Sequence, residues 1–102
     1  MKVEILHIDD CPNWEEAGRR TVAALIATGH DGVGVTFRRL QSSEDAARVL
    51  FAGSPTIVID GADLFPTGSR ITDLACRVYP TPQGLAALPT TEQLIGAINQ
   101  RV

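Results

Sequence analysis

Cysteine and histidine are scarce in this chain of 102 residues, which contains two of each: Cys11, Cys76, His7 and His30. One disulfide is the most that the chain can form, so it is not one of the densely cross-linked scaffolds of small secreted proteins. The close ligand spacings of zinc sites are absent as well. The leading interpretation therefore includes no metal site and no cofactor.

Long apolar runs and clusters of positive charge are also missing. No stretch approaches the roughly 20 apolar residues of a membrane span, and the first residues lack the features of a signal peptide. The net charge is −3, and the pairs Arg19-Arg20 and Arg38-Arg39 are too short to form a phosphate-binding surface. We expect a cytoplasmic protein with no membrane or nucleic-acid partner. The sequence does not indicate the oligomeric state.

The chain has enough hydrophobic residues, 44% of the total, for one compact core. We therefore expect a single domain over residues 1–102. Residues 2–8 are apolar on both sides, as in a central strand. A helix is expected from Pro12 to about Thr28, with its apolar face formed by Trp14, Ala17, Val22, Leu25 and Ile26.

The rest of the pattern completes an order of β-α-β-α-β-β-α. A strand in 33–40, parallel to the first, is followed by a short helix that Ser42 or Ser43 caps and Gly53 ends. Asp60-Gly61 marks a hairpin within 54–65. The last helix has a capping box of Thr90 and Gln93 and a stripe of Leu94, Ala97, Ile98 and Val102.

This order predicts an α/β domain with a four-stranded mixed sheet and helices on both faces. Residues 66–89 form an irregular insertion with four prolines. Such an insertion is too long for a structureless loop in a compact domain, so we expect it to hold an extra element or to cover a site. Within it, 70–78 fits a helix or a strand.

Cys11 is the first candidate for chemistry because it lies between the first strand and the first helix. Pro12 suits the first helical position, which would place Cys11 at the N-cap, where backbone amides and the helix dipole stabilise a thiolate. Asp9 and Asp10 would oppose this effect. In the alternative, Asn13 caps the helix and Cys11 lies outside it, or Cys11 is a small buried hydrophobe.

The second candidate is Ser54-Pro55, directly before a buried strand. The Ser54–Pro55 bond is either trans at the start of an edge strand, or cis with its backbone held beside Cys11.

Cys11-Pro12-Asn13-Trp14 after a strand, Ser54-Pro55-Thr56-Ile57-Val58-Ile59-Asp60-Gly61 further on, and the element order together resemble the thioredoxin-like superfamily, nearest its compact glutaredoxin-like members. The resemblance covers about 1–65 and 90–102. It implies a nucleophilic Cys11 and a cis Pro55 opposite it. Thr56 would then lie beside the place where a substrate backbone or glutathione pairs. The substrate-binding residues that it implies are Pro12, Trp14, Ser54, Pro55 and Thr56.

The chain departs from that family in two places. Trp14 stands where dithiol members have their second cysteine, so the resemblance is to a monothiol CPNW variant. The glycine pair with which glutaredoxins hold glutathione is missing after the hairpin, where the sequence continues Gly61-Ala62-Asp63-Leu64-Phe65.

Cys76 lies in the insertion. Residues 63–65 and 76–85 resemble small bacterial thioredoxin-like proteins labelled alkylmercury lyase. If the insertion folds over the Cys11 end of the sheet, Cys76 is a second catalytic residue that resolves a mixed disulfide, or a second sulfur for a soft metal. Otherwise Cys76 is a packed free cysteine, which we prefer at this point. Arg77 is interpreted as exposed rather than as a partner for an anionic substrate, and His7 as structural rather than as a base for the thiol.

The leading hypothesis is therefore a thiol-dependent redox protein, a thiol–disulfide oxidoreductase if it is an enzyme. Its Cys11 thiolate attacks a disulfide, a sulfenic acid or an electrophile, while Pro55 and Thr56 present backbone to the substrate. The expected partner is a thiol or a disulfide, in a protein or in glutathione. One alternative is a non-catalytic binding module that uses Asp9, Asp10 and Trp14. The other is a soft-metal or organomercurial site made by Cys11 and Cys76.

Overall fold

The computed structural model describes residues 1–68 and 70–101, which form three helices, a four-stranded mixed sheet and a separate hairpin. The helices are α1 (Trp14–Ala27), α2 (Ser43–Ala47) and α3 (Thr91–Arg101). The sheet consists of β1 (Val3–His7), β2 (Val35–Arg39), β3 (Thr56–Ile59) and β4 (Ala62–Asp63), and the hairpin of β5 (Tyr79–Thr81) and β6 (Gly84–Ala86). None of the helices in these two ranges has the length and hydropathy needed to cross a membrane.

β1 is a central strand of the sheet, whose order is β2-β1-β3-β4. It pairs in parallel with β2, with Val3 opposite Val35, and antiparallel with β3, with Val3 opposite Ile59. β4 returns along β3 through Asp60 and Gly61, whose φ angles of 51° and 83° suit a tight hairpin turn. The mixed sheet, the parallel second strand and the hairpin predicted from the sequence are thus confirmed.

Alternate residues of β1 belong to two apolar clusters, as predicted for a strand covered on both sides. Val3 and Ile5 belong to the first cluster, together with Ala17, Ala24, Leu25, Ile57, Ile59, Leu64, Leu88, Leu94 and Ile98. Leu6 and the following Ile8 belong to the second, together with Cys11, Leu40, Ala46, Phe51 and Val58. Cys11 therefore lies in the apolar packing of the second cluster.

The buried face of α1 agrees with the sequence only in part, since Ala17 and Leu25 are buried as expected. Its buried residues are mostly small: Ala17, Gly18, Thr21, Ala24 and Leu25. Val22 and Ile26, expected in the core, are 43% and 58% exposed. The close approach of Phe37 explains the choice of face, because a Cβ atom on Gly18 would lie 2.5 Å from Cζ of the Phe37 ring.

α2 is shorter than expected. Ser42 is its N-cap and accepts a hydrogen bond from the Asp45 amide through Oγ (3.1 Å), but the helix ends at Ala47 rather than near Gly53. The chain turns after Ala47, and Phe51 is then completely buried in the second cluster. Burial of this large ring favours the turn over further helix.

α3 has the capping box that the sequence predicts. Thr90 Oγ1 accepts from the Gln93 amide (3.0 Å), and Gln93 Oε1 accepts from the Thr90 amide (2.9 Å). Leu94 and Ile98 are buried in the first cluster. Val102, expected on the same stripe, lies outside the described residues.

His7 ends β1 and packs among aromatic rings, in agreement with a structural role. Its ring stacks on Trp14 with 4.2 Å between centroids and meets Phe37 edge-on at 6.4 Å. The side chain is buried, and its Nδ1 has no hydrogen-bond partner among the described residues. Loss of solvation on burial lowers the pKa of His7 below its ordinary value.

Because His7 is buried, we expect it to contribute to a loss of stability as the pH falls. Because the pKa of His7 is lower in the folded than in the unfolded chain, unfolding takes up a proton and the free energy of unfolding falls below about pH 6.5. His7→Phe keeps the aromatic packing and removes the titration. Between about pH 7 and 5, we expect the free energy of unfolding to fall less steeply in His7→Phe than in the wild type. The two slopes should differ by at most about 1.4 kcal/mol per pH unit.

Denaturant titrations at several pH values measure this difference. His30→Gln, which removes the other histidine, is the control. Identical pH dependence of His7→Phe and the wild type would contradict the prediction.

Candidate functional site

A disulfide joins Cys11 to Cys76 across 65 positions of sequence. The two Cα atoms are 5.9 Å apart, within the range normal for disulfides. The preferred interpretation of Cys76 as a packed free cysteine is therefore wrong. The second sulfur comes from the insertion within 66–89.

Cys11 does not occupy the N-cap of α1. The cap is Asn13, whose carbonyl oxygen accepts the helical hydrogen bond from the Ala17 amide (3.0 Å), although its side chain makes no capping bond. Pro12 lies in the turn before the cap and is exposed. Cys11 precedes the cap by two residues and is only 2% exposed. The expectation of an accessible thiol at the helix N-terminus is wrong, and the alternative with Asn13 as the cap is confirmed.

The second candidate segment is buried beside the end of β1. The Ser54–Pro55 bond is cis, the isomer that the resemblance implies. Ser54 Oγ accepts a hydrogen bond from the Ile8 amide (3.0 Å), which ties this segment to the chain three residues before Cys11. Thr56 Oγ1 accepts from the Ala52 amide (3.1 Å) and holds the turn that leads into β3.

The backbone of Ser54 pairs with the segment that carries Cys76. The Ser54 amide donates to the Ala75 carbonyl oxygen (2.8 Å), and the Arg77 amide donates to the Ser54 carbonyl oxygen (2.9 Å). These bonds form an isolated parallel bridge between Ser54 and Cys76. Residues 70–78 are thus neither helix nor regular strand. The chain itself occupies the backbone groups immediately before Pro55, next to the position expected to receive a substrate.

Arg77 anchors this segment from within the protein, contrary to the expectation of an exposed arginine. Its side chain is 5% exposed, and its Nη1 lies 2.9 Å from Oδ2 of Asp63 in β4. Nη2 donates to the Phe65 carbonyl oxygen, and the guanidinium lies 4.5 Å from the centre of the Tyr79 ring. The buried Arg77 guanidinium is already paired with these groups, so it stabilises the fold and is not available to an anionic substrate.

Tyr79 and Gly53 complete the attachment of the insertion. The Tyr79 hydroxyl donates to the Pro55 carbonyl oxygen. Burial raises the pKa of Tyr79, which keeps this donor protonated. Gly53 has a φ of 109°, and a Cβ atom there would lie 2.7 Å from the Arg77 Cβ, so only glycine fits this position.

Sequence reasoning missed Arg77, Tyr79 and Asp63 as parts of one cluster. The useful signal was the position of Gly53 directly before Ser54-Pro55, which we interpreted only as a helix stop. A glycine outside a helix terminus often marks close approach of another backbone.

Trp14 begins α1 and packs against the sheet, where its ring stacks on His7 of β1. It is half-buried, and its ring meets Phe37 edge-on at 5.3 Å. Both line an apolar groove of about 660 Å³ that also includes Val22 and Val35. Neither cysteine lines this groove, so Trp14 and the disulfide do not share it.

Asp9 and Asp10 are exposed just before Cys11. Asp9 Oδ2 lies 3.7 Å from Arg39 Nη1 in a solvent-exposed ion pair. Both aspartates line a cleft of about 280 Å³, to which Leu74 contributes from the segment before Cys76. The surface next to the disulfide is therefore acidic on the Cys11 side.

Comparisons with known proteins give no relative from which a function could be transferred. Neither a protein-family model nor a curated protein nor a solved structure matched this chain. The functional argument consequently depends on the site itself.

Proposed function

We propose that this protein is a thiol-dependent redox protein that cycles between the Cys11–Cys76 disulfide and the corresponding dithiol. Its substrate is a thiol or a disulfide, in a protein or in glutathione, and it acts as a thiol–disulfide oxidoreductase. The observation that carries the proposal is the pairing of the two sulfurs beside the cis Ser54–Pro55 bond.

We further propose that the domain is thioredoxin-like, with α1 and α3 on one face of the sheet and α2 on the other. The strand order β2-β1-β3-β4 supports this proposal, since β1 has a parallel neighbour on one side and an antiparallel neighbour on the other. The two apolar clusters on opposite sides of β1 also support it.

Disulfide exchange in this protein needs no metal or organic cofactor. A thiolate of the substrate attacks one sulfur of the pair, the Cys11–Cys76 bond breaks, and the other cysteine leaves as a thiolate. A second substrate thiolate then attacks the mixed disulfide. The bond between the substrate sulfur and the cysteine breaks, the substrate leaves as a disulfide, and the protein keeps two electrons and takes up two protons from solvent as its dithiol. Reduction of a substrate disulfide is the reverse.

The compartment affects how the disulfide is interpreted. The sequence predicts a cytoplasmic protein, and cytosolic thiol pools keep most cysteines reduced, so disulfides there are usually transient and catalytic or redox-sensing. In that compartment the disulfide is one state of a cycle rather than a permanent cross-link.

The two cysteines stay close to each other after reduction. The segment that carries Cys76 is attached by contacts other than the disulfide: the backbone bonds to Ser54, the ion pair of Arg77 with Asp63, and the Tyr79 hydrogen bond to Pro55. These contacts keep the Cys76 thiol near Cys11 at a high effective concentration, which favours re-formation of the disulfide.

A soft-metal site is a second candidate, because reduction would leave two thiolates on Cα atoms 5.9 Å apart. Thiolates select soft ions such as Cu(I). Among the described residues, no group of three or more His, Cys, Asp or Glu side chains could hold a metal ion. The candidate is therefore a site with two sulfur ligands.

The redox proposal predicts reversible cycling. In buffers with varied ratios of reduced to oxidised glutathione, we expect the wild type to convert between disulfide and dithiol. Alkylation of free thiols and mass spectrometry measure the fraction in each state. It should also accelerate the reduction of a small disulfide by dithiothreitol. Cys11→Ser and Cys76→Ser should each abolish the intramolecular disulfide.

The same titration separates a redox pair from a structural cross-link. A disulfide that stays intact at every ratio, in a protein that accelerates nothing, would overturn the proposal. Serine is the matched replacement because it retains the size of cysteine without its redox chemistry.

For the metal candidate, we expect reduced protein to take one Cu(I) ion from a chromophoric chelator and to lose this ability in either single serine variant. Failure of the wild type to compete with the chelator would exclude this candidate without affecting the redox proposal.

Arg77→Met tests whether the attachment of the insertion sets the redox equilibrium. Loss of the guanidinium removes the contacts to Asp63 and Phe65, so Cys76 should spend more time away from Cys11. We expect the equilibrium with glutathione to shift roughly tenfold toward the dithiol, which corresponds to about 30 mV.

Arg101→Met is the control for Arg77→Met, because it removes an exposed ion pair with Asp60 (3.4 Å) at the far end of the chain. It should leave the equilibrium constant unchanged. An unchanged constant in Arg77→Met would show that the buried ion pair does not position Cys76.

A further inference from the structure

We infer that Cys76 is the sulfur that exchanges with partner molecules and that Cys11 is the internal, resolving sulfur. This inference rests on the proposed redox function and assigns the two cysteines the opposite of their expected roles. In the sequence, Cys11 resembles the nucleophile of its family and Cys76 a secondary thiol.

Access to the two cysteines is the first argument. Thiol–disulfide exchange requires the attacking thiolate to reach the sulfur that it attacks. Cys11 is 2% exposed and packed within the second apolar cluster, among residues that include Leu6 and Phe51. Cys76 is exposed. A thiolate from solvent therefore meets the disulfide at Cys76.

The backbone bonding of Ser54 is the second argument. A partner that approached Cys11 along an extended segment would need free backbone groups beside Pro55. At Ser54 both the amide and the carbonyl group are already bonded, to Ala75 and to Arg77. The chain's own Cys76 segment thus lies between this edge and an incoming partner.

The attachment of the Cys76 segment is the third argument. If reduction released this segment, Cys11 and the Ser54 edge would be uncovered and could receive a partner. Arg77, however, is held by the largely buried carboxylate of Asp63 and by a carbonyl oxygen, and Tyr79 is held by Pro55. None of these contacts depends on the sulfur–sulfur bond. The segment therefore covers Cys11 in the dithiol state too.

These arguments define the order of steps. In reduction of a substrate disulfide, the Cys76 thiolate attacks one substrate sulfur and the other substrate sulfur leaves as a thiolate. The Cys11 thiol then attacks Cys76 Sγ and gives up its proton, which the departing substrate thiolates take up. The mixed disulfide breaks, the first substrate sulfur leaves as a thiolate, and the Cys11–Cys76 bond forms. The substrate gains two electrons and the protein loses two.

The same arguments define the class of substrate. The partner sulfur must reach Cys76 without backbone pairing at Ser54. This requirement favours small thiols and disulfides, and cysteines on flexible or protruding segments, over cysteines within extended strands.

The test compares the two cysteines in matched variants. Cys11→Ser leaves only Cys76, and Cys76→Ser leaves only Cys11. We expect Cys76 to react with an aromatic disulfide reagent, and with oxidised cysteamine, at least about tenfold faster than Cys11 does. In denaturant the two rates should converge, because the difference comes from the fold.

A second measurement uses the wild type, in case Cys76→Ser loosens the insertion and uncovers Cys11. Reduced wild-type protein is treated with a limiting amount of iodoacetamide and mapped by peptide mass spectrometry. We expect the first label on Cys76. In the oxidised wild type treated with cysteamine and quenched in acid, we expect the mixed disulfide on Cys76 as well.

Label or mixed disulfide found mainly on Cys11 of the wild type would overturn the inference. So would equal rates in the two folded single-cysteine variants. These outcomes differ from failure of the redox function itself: a protein whose disulfide never cycles with glutathione can still react faster at Cys76, and one that cycles can prove to react at Cys11.

Discussion

The buried ion pair between Arg77 and Asp63 is the interaction on which the arrangement of the site depends. It connects the insertion to β4, and it fixes the residue that follows Cys76. Removal of one partner from such a pair leaves an uncompensated charge in the interior, which costs about 3–5 kcal/mol. The segment therefore has one favourable position, and in that position its cysteine lies against Cys11 and its backbone against Ser54.

The site is built at the point where separate parts of the chain meet at the end of β1. β1 leads directly to Cys11, and the Ser54 hydroxyl binds the amide of Ile8 at the same end. The insertion pairs with Ser54 through an isolated bridge and contributes Cys76. Each part has contacts of its own with the core, so the disulfide joins elements that the fold already brings together.

Much of the fold was predictable because it depends on local patterns. The alternation in β1, the Asp60-Gly61 turn and the Thr90–Gln93 capping box each involve residues close in sequence, and each was predicted correctly. The face of α1 was predicted only in part, because Phe37 from another element packs against Gly18 and helps to set it. Hydrophobic periodicity within a helix carries no information about such a distant contact.

The candidate site was predictable only in part for the same reason. Cys11 and Ser54-Pro55 could be singled out from their immediate neighbours in sequence. The environment of Cys11, and the partners of Cys76 and Arg77, depend on how 66–89 folds back over the domain. That path is determined by the ion pair of Arg77 with Asp63 and by the close approach of Arg77 to Gly53. Neither contact produces a periodic pattern in the sequence.

The separation of 65 positions between the two cysteines links oxidation to the conformational freedom of the unfolded chain. The disulfide encloses α1, β2, α2, β3 and β4, so the oxidised chain unfolds as a large ring rather than as an open polymer. Closure of a ring of this size removes entropy worth roughly 4 kcal/mol from the unfolded state. By the thermodynamic cycle, disulfide formation is more favourable in the folded chain than in the unfolded chain by the same free energy. Reduction of the disulfide therefore makes the domain easier to unfold.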